Sequence, residues 1–222
     1  MQAINYLNPT DPIPEKVISD LDRTFRSTLT WIYELPLGHG KKWLNASGPL
    51  DRLVSGWQVT AIQNYRSGDP LVIVSSLDPG NFALQMNGIR ADLVPGVSQT
   101  VPNHGVDVTN GTQYLSPLAF ADPPASPSGQ PLRIGNSPAF LPHTRGPRHS
   151  NEDFGIVKNT RITERISAQF RADMFNVFNR TGRGDPDTCL CDDIPANGGT
   201  FGLILDPGND PRVIQLALRL TF

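Results

Sequence analysis

The last ten residues of the chain, from Val213 to Phe222, form a strictly two-sided pattern. One alternate set of side chains is large and apolar: Ile214, Leu216, Leu218, Leu220 and Phe222. The other alternate set is small or polar: Val213, Gln215, Ala217, Arg219 and Thr221. Because successive side chains of a β-strand point to opposite faces, this pattern predicts a strand with one apolar face. The leucines do not fit the 3.6-residue repeat that a helix requires.

A two-sided strand that ends a chain on an aromatic residue is typical of outer-membrane β-barrels, where the apolar face meets lipid and the polar face a wet lumen. Hydrophobic residues make up only 38% of the chain, which is low for a protein with a large dry core. The 20 glycines and 21 prolines predict many turns and long loops. The chain has no apolar run long enough for a membrane-spanning helix. Its net charge of -2, without a Lys/Arg block, argues against nucleic acid as a partner.

Four earlier segments alternate in a similar way and are predicted as strands. They span residues 25–35, 57–67, about 153–162 and 165–177. The fourth also fits a helical stripe through Ile166, Phe170, Met174 and Val177, but its unbroken two-residue alternation favours a strand. The apolar run 71–74 is expected to extend the second strand past a bend.

The connections between these strands fall into two classes. Residues of about 75–150 are predicted to form one long structureless loop, and 179–211 a second long loop on the same side. The turn at 160–164 is short, whereas the 36–53 connection is longer than a periplasmic turn usually is. We therefore predict an all-β fold with about five antiparallel strands of a transmembrane outer-membrane β-barrel, an incomplete barrel with long extracellular loops.

Six phrases of the sequence together resemble a known family. They are Tyr33–Lys41, Gly56–Val59, Tyr65–Pro70, Asp153–Asn159, Phe170–Asn179 and Asp210–Leu218. In this order, and with the terminal Phe, they resemble the C-terminal barrel portion of Oar-like TonB-dependent outer-membrane receptors of the acidobacterial type. The resemblance covers nearly the whole chain.

The resemblance implies a 22-stranded barrel that is closed by an N-terminal plug and takes up a bulky nutrient with energy from TonB. Neither the plug nor the TonB box is recognisable, so residues 1–222 are expected to be a C-terminal segment that transports only with the missing parts. The expected location is the outer membrane, although Met1–Tyr6 lacks the features of a signal peptide. The implied partners are outer-membrane lipid, the barrel-assembly machinery, the remaining barrel and plug and, indirectly, TonB.

The interpretation as an outer-membrane barrel also gives roles to particular residues. Phe222, Leu220 and Leu218 are expected to form the barrel-assembly signal. The charged residues of the polar strand faces would line the lumen and pair with each other or with a plug; they are Arg26, Glu34, Arg66, Arg171, Asp173 and Arg219. Simple solvent exposure on a soluble sheet is the alternative for this set. Aromatic residues on the apolar faces fit an interfacial girdle or the core of a soluble sandwich; they are Trp31, Tyr33, Trp57, Tyr65 and Phe222.

The sequence shows no convincing catalytic, cofactor or metal site, and we expect that the chain is not an enzyme. Cys189 and Cys191 lie in a loop and are interpreted as structurally neutral, as a redox pair, or as half of a zinc site. The four histidines, His39, His104, His143 and His149, are predicted in loops without metal-ligand spacing. The acidic residues between 185 and 193 lack the spacing of a known calcium loop.

Two other functions remain open at this point. The first is a soluble, secreted β-sandwich that binds glycans or proteins through its long loops. The second is a hydrolase with a site assembled from loop Asp and His residues.

Overall fold

The computed structural model describes residues 17–45, 47–77, 89–102, 106–107 and 111–222. The strands, in chain order, are β1 (Arg26–Glu34), β2 (Trp57–Arg66), β3 (Asp92–Leu93), β4 (Val106–Asp107), β5 (Gly111–Gln113), β6 (Phe120–Ala121), β7 (His149–Arg161), β8 (Ser167–Phe175), β9 (Leu203–Ile204) and β10 (Val213–Thr221). A short helix, α1, spans Pro49–Val54, and single 3₁₀ turns lie at Pro117–Ala119, Leu190–Asp192 and Pro195–Asn197. In the described part of the chain, no helix has the length and apolar character needed to cross a bilayer.

The chain divides into two compact units. The sheet unit consists of residues 25–66, 149–182 and 209–222, and the insert unit consists of residues 1–24, 67–148 and 183–208.

The sheet unit is one five-stranded antiparallel sheet with the order β1-β2-β7-β8-β10. Each long strand pairs with the next long strand along the chain, so the sheet is a simple meander. This confirms the prediction of about five antiparallel strands, including the strand assignment of the ambiguous fourth segment. Strand β7 begins at His149, four residues before the predicted start, because His149 pairs with Arg66 at the end of β2.

The connections leave the sheet at two opposite ends. The tight turn between β7 and β8 closes one end, where Arg161 pairs with Ser167. The 67–148 and 176–212 connections depart from the other end, as the pairs Arg66 with His149 and Phe175 with Val213 show. The prediction that both long connections share one side of the sheet is therefore confirmed. The longer connection between β1 and β2 contains α1, which the sequence pattern did not predict.

The insert unit has its own hydrophobic core. Its fully buried side chains come from distant parts of the chain, among them Ile73, Leu115, Leu141 and Phe201. The stretch predicted as one structureless loop contains, in its described part, the four short strands β3 to β6. The prediction that 71–74 extends β2 is wrong, because Leu71 and Ile73 are buried in this separate core instead.

The two ends of the 67–148 segment are held against each other within the insert unit. The backbone N–H of Gly146 donates to the carbonyl of Asp69 at 2.8 Å, and Pro70 forms a β-bridge with Arg145. Gly68 packs so closely on the carbonyl of Gly146 that any Cβ at this position would collide with it. We call this contact between residues 68–70 and 145–146 the neck.

Candidate functional site: the two faces of the sheet

The register of the five strands collects apolar side chains on one face of the sheet. One row of directly paired residues crosses all five strands and consists of Trp31 (β1), Ala61 (β2), Phe154 (β7), Met174 (β8) and Ile214 (β10). The ring of Trp31 meets that of Phe154 edge-to-face at 6.0 Å between centroids. We call this surface the apolar face.

The apolar face remains uncovered where β10 forms it. Leu216 and Leu218 are 66% and 67% exposed, and Phe222 is 97% exposed. A contiguous row of exposed large apolar residues is unusual on a water-soluble domain and marks a surface that meets a partner or a membrane. Among the described residues, nothing packs over these leucines to any large extent.

Two charged residues break the apolar face, and sequence reasoning missed both. Lys158 lies near the tight-turn end of β7, where its Nζ donates to the carbonyl oxygens of Arg52, at 2.8 Å, and of Ser55. The Nζ also lies 5.4 Å from the centroid of the Trp57 ring, within the range of a cation–π contact. The ammonium group therefore reaches backbone acceptors instead of standing free among apolar side chains.

Glu152 lies on the same face, towards the end from which the long connections depart. Its side chain is almost fully buried, with 1% of the residue exposed. The carboxylate accepts a hydrogen bond from the Tyr65 hydroxyl at 3.0 Å and an ion-paired hydrogen bond from Arg180 Nε at 2.8 Å. The carboxylate of Glu152 also raises the pKa of Arg180. Burial of a carboxylate is tolerated only when such partners satisfy it.

The opposite face of the sheet carries most of the polar and charged strand residues, together with a few apolar ones: Ile32, Ile62, Val157, Phe175 and Val213. Thr28 Oγ1 donates to Asn64 Oδ1 at 2.9 Å, and Gln169 Nε2 donates to Asn159 Oδ1 at 2.9 Å. Cross-strand hydrogen bonds of this kind stabilise neighbouring strands. We call this surface the polar face.

Gly155 lies at the centre of the polar face, where the lack of a side chain leaves space for its neighbours. A Cβ at Gly155 would lie 2.5 Å from Thr60 Oγ1 and 2.9 Å from Asp173 Oδ1, so the missing side chain accommodates both neighbours. Asp173 in turn accepts a hydrogen bond from Arg171 at 3.0 Å.

The structure places all six residues predicted as lumen-facing on the polar face. Arg26 lies directly opposite Arg66, and Glu34 lies opposite Gln58. Arg219 lies opposite Gln169, and Arg171 and Asp173 form an ion pair.

The predicted assembly signal lies on or just beyond β10. Leu218 and Leu220 are exposed on the apolar face, and Phe222 follows the last strand residue, Thr221. Of the predicted girdle residues, Trp31, Tyr33, Trp57 and Tyr65 share this face. Trp31 lies in the middle of β1, not at its end.

The residues considered for chemistry do not converge on a site in the described part of the chain. His149 was predicted in a loop, which is wrong, because it is the first residue of β7. The backbone N–H of His39 donates to the Asp51 carboxylate at 2.6 Å. His143 lies in an irregular segment, and His104 is outside the described residues.

Cys189 and Cys191 form a disulfide. With Asp192 they make up the one group of potential ligands within 4.8 Å of each other among the described residues, but their sulfurs are already joined. Nearby carboxylates have protein donors: Thr200 Oγ1 donates to Asp187 at 2.6 Å. A hydrogen bond from the backbone N–H of Ile194 and, to a smaller extent, one from the Asn197 side chain lower the pKa of Asp193.

The comparison with protein families matches the outer membrane beta barrel domain to residues 2–215, which is nearly the whole chain. The match ends within β10, before Leu218, Leu220 and Phe222. No curated protein and no solved structure matches the chain.

Proposed function

The chain belongs to the outer membrane beta barrel domain family, and we propose that its sheet is part of the barrel wall of a TonB-dependent receptor of the Oar-like type. The protein is an all-β protein of the outer membrane whose strands form barrel sheet. We propose further that this receptor takes up a bulky nutrient, with outer-membrane lipid, the barrel-assembly machinery, the remaining barrel and plug and, indirectly, TonB as partners.

The exposed apolar face of β10 is the observation that supports a lipid-facing wall most strongly. Phe222 lies eight residue steps after Ile214, which corresponds to about 27 Å of extended strand. Outer-membrane barrels carry an outward apolar band of about 25 Å. When the strand is tilted by about 40°, the row from Ile214 to Phe222 spans about 21 Å along the membrane normal, which is most of the hydrocarbon layer.

The polar face supports a wet interior. It carries cross-strand amide and hydroxyl hydrogen bonds and an Arg171–Asp173 ion pair, which are groups that need water or polar partners. In the proposed receptor this face borders the lumen, and the six charged residues listed above line it. Nutrient uptake then requires a complete barrel and a plug, because a five-stranded sheet with two open edges cannot enclose a channel.

The long connections support the proposed orientation. They depart from one end of the sheet, as the extracellular loops of a barrel do, while the β7–β8 turn at the other end is as short as a periplasmic turn. The apolar face and the long row of exposed leucines disfavour the alternative of a soluble β-sandwich, because a sandwich covers that face with a second sheet.

We propose that Phe222 is the key residue of the signal that the barrel-assembly machinery recognises. The test uses a full-length receptor that contains this chain as its C-terminal segment, and vesicles that contain a purified bacterial barrel-assembly complex. Phe222→Asp is expected to lower the protease-protected, membrane-integrated fraction at least fivefold. Thr221→Asp, one residue earlier and on the polar face, is the matched control and should change this fraction less than twofold. Equal effects of the two substitutions would refute the assigned role of Phe222.

A further inference from the structure

An open cavity of about 460 Å³ lies on the polar face near the tight-turn end of the sheet. Its walls come from β7, β8, β10 and Ser55, which precedes β2. The residues that matter for binding are Asn159, Arg161, Ser167, Gln169, Arg219 and Thr221. The volume falls in the range of small-molecule sites, which is about 300–1,000 Å³. The residues that line this cavity include no Asp and no Glu.

Both guanidinium groups of the cavity lack a counter-charge in the described part of the chain. Arg161 and Arg219 belong to none of the ion pairs found there, in contrast to Arg171, which is paired with Asp173 on the same face. Two arginines that face one cavity without a carboxylate create a positive potential that attracts anions.

The register fixes how far apart the two arginines stand. Arg219 lies opposite Gln169, which lies opposite Asn159, and Arg161 follows Asn159 by two residues. Two strand spacings and one two-residue step therefore separate the Cα atoms of Arg161 and Arg219 by about 12 Å. Two arginine charges on one cavity without a carboxylate are balanced best by a ligand with two or more anionic groups.

Neutral donors complete the cavity. Gln169 and Asn159 are hydrogen-bonded to each other, which fixes their amides in the wall. Ser167 and Thr221 add hydroxyl groups beside the arginines. Arginine binds both carboxylates and phosphates with paired, charge-assisted hydrogen bonds, and neighbouring amides and hydroxyls supply further donors.

We propose that this cavity binds a polyanionic ligand, with at least two carboxylate or phosphate groups held between Arg161 and Arg219. The place of the cavity in the lumen, near its periplasmic end, rests on the proposed function. The binding itself does not, since it depends only on the residues of the polar face. Two sources of this chemistry fit the site: acidic side chains of a polypeptide that enters the lumen, and a soluble polyanion.

The test measures binding to the full chain in detergent micelles by isothermal titration calorimetry. The probes are an acetylated, amidated tetra-aspartate peptide for the first source, and citrate and pyrophosphate for the second. Arg161→Gln combined with Arg219→Gln is expected to weaken binding of the preferred probe at least tenfold. Each single substitution is expected to weaken it about threefold, which keeps the test decisive if the double variant does not fold. Added salt should weaken binding to the unsubstituted chain.

The matched control removes the same charge from the same face at the opposite end of the sheet. Arg26→Gln combined with Arg66→Gln should change the affinity less than twofold. Equal weakening by both double variants would show a diffuse effect of net charge and overturn the proposal, as would a lack of measurable binding for all three probes at millimolar concentration. Preference for the peptide or for a solute assigns the source. None of these outcomes bears on the assembly test at Phe222, so the two proposals fail separately.

Discussion

Replacing Leu218 by Arg gives the sharpest test of a lipid-facing sheet. Leu218 lies midway between Ile214 and Phe222, at the centre of the apolar row. It is 67% exposed, so the substitution breaks little packing within the protein. In water such a surface change would alter the free energy of unfolding by only about 0.5 kcal/mol in either direction. A larger loss must therefore come from the lipid.

The expected loss follows from the depth of the residue. An Arg on the lipid face costs about 2–4 kcal/mol at the bilayer midplane and about 0–1 kcal/mol near the interfaces. We expect Leu218→Arg to cost about 3 kcal/mol, which is a change of roughly 150-fold in the folding equilibrium. Ile214 lies four residues away, about 10 Å closer to the interface for a strand tilted by about 40°. Ile214→Arg should accordingly cost only about 1 kcal/mol.

Gln215→Arg is the control on the polar face. Gln215 neighbours Ile214 in β10 and lies directly opposite Asp173, which offers a carboxylate to the new cation. We expect this substitution to leave the free energy of unfolding unchanged within about 0.5 kcal/mol.

The measurement is an equilibrium urea titration of a complete receptor barrel that contains this chain, refolded in phosphatidylcholine vesicles and followed through tryptophan fluorescence. A lipid-facing wall requires that the loss of unfolding free energy be largest for Leu218→Arg, smaller for Ile214→Arg and smallest for Gln215→Arg. Similar losses for Leu218→Arg and Gln215→Arg, or no loss for either, would show that β10 does not face lipid on its apolar side.

Two further predictions concern stability within each unit. Gly56 and Gly40 have nearly the same backbone angle, with φ of 75° and 71°, but a Cβ at Gly56 would collide with the backbone of Asn159, whereas a Cβ at Gly40 would meet open space. We expect Gly56→Ala to lower the free energy of unfolding by about 3 kcal/mol and Gly40→Ala by about 1 kcal/mol in the same urea titration. Equal losses would show that β2 and β7 separate freely at this point. In the insert unit, two hydrogen bonds from Arg133, at 2.7 and 2.5 Å, and the backbone N–H of Asn136 hold the pKa of Asp92 below its ordinary value of 3.8. This stabilisation is fully present above pH 3.8 and is lost as the pH falls through the lowered pKa. Asp92→Asn should therefore destabilise the chain at pH 7, and by a progressively smaller amount as the pH falls below 3.8, in thermal unfolding. A pH-independent difference would contradict the assigned ion pair.

The sheet was predictable because its information is local. Alternation of side chains along β1, β2, β8 and β10 specifies each strand and both of its faces without knowledge of the partner strands. Residues as far apart as Arg26 and Arg219 could thus be assigned to one face before the register was known. The beginning of β7 escaped prediction because His149, Ser150 and Asn151 are all polar, and only their pairing with β2 makes them strand residues.

The insert unit was not predictable for the opposite reason. Its core joins Leu71, Leu115, Leu141 and Phe201, whose spacing in the sequence has no period. An apolar run such as 71–74 has the same local signal whether it extends a long strand or enters a different core. Glu152 was missed in the same way, because the burial of its carboxylate depends on Tyr65 and Arg180, which lie 87 and 28 residues away.

The neck has a kinetic consequence for the whole chain. Closing a flexible loop of about 80 residues costs on the order of 4 kcal/mol of chain entropy, and this would be the largest such cost between successive long strands of the meander. Because Gly68 and Gly146 hold both ends of that segment together, β2 and β7 emerge from it already side by side. Once the inserted segment has folded, β2 and β7 can pair from Arg66 and His149 onwards as two strands joined by a tight hairpin do.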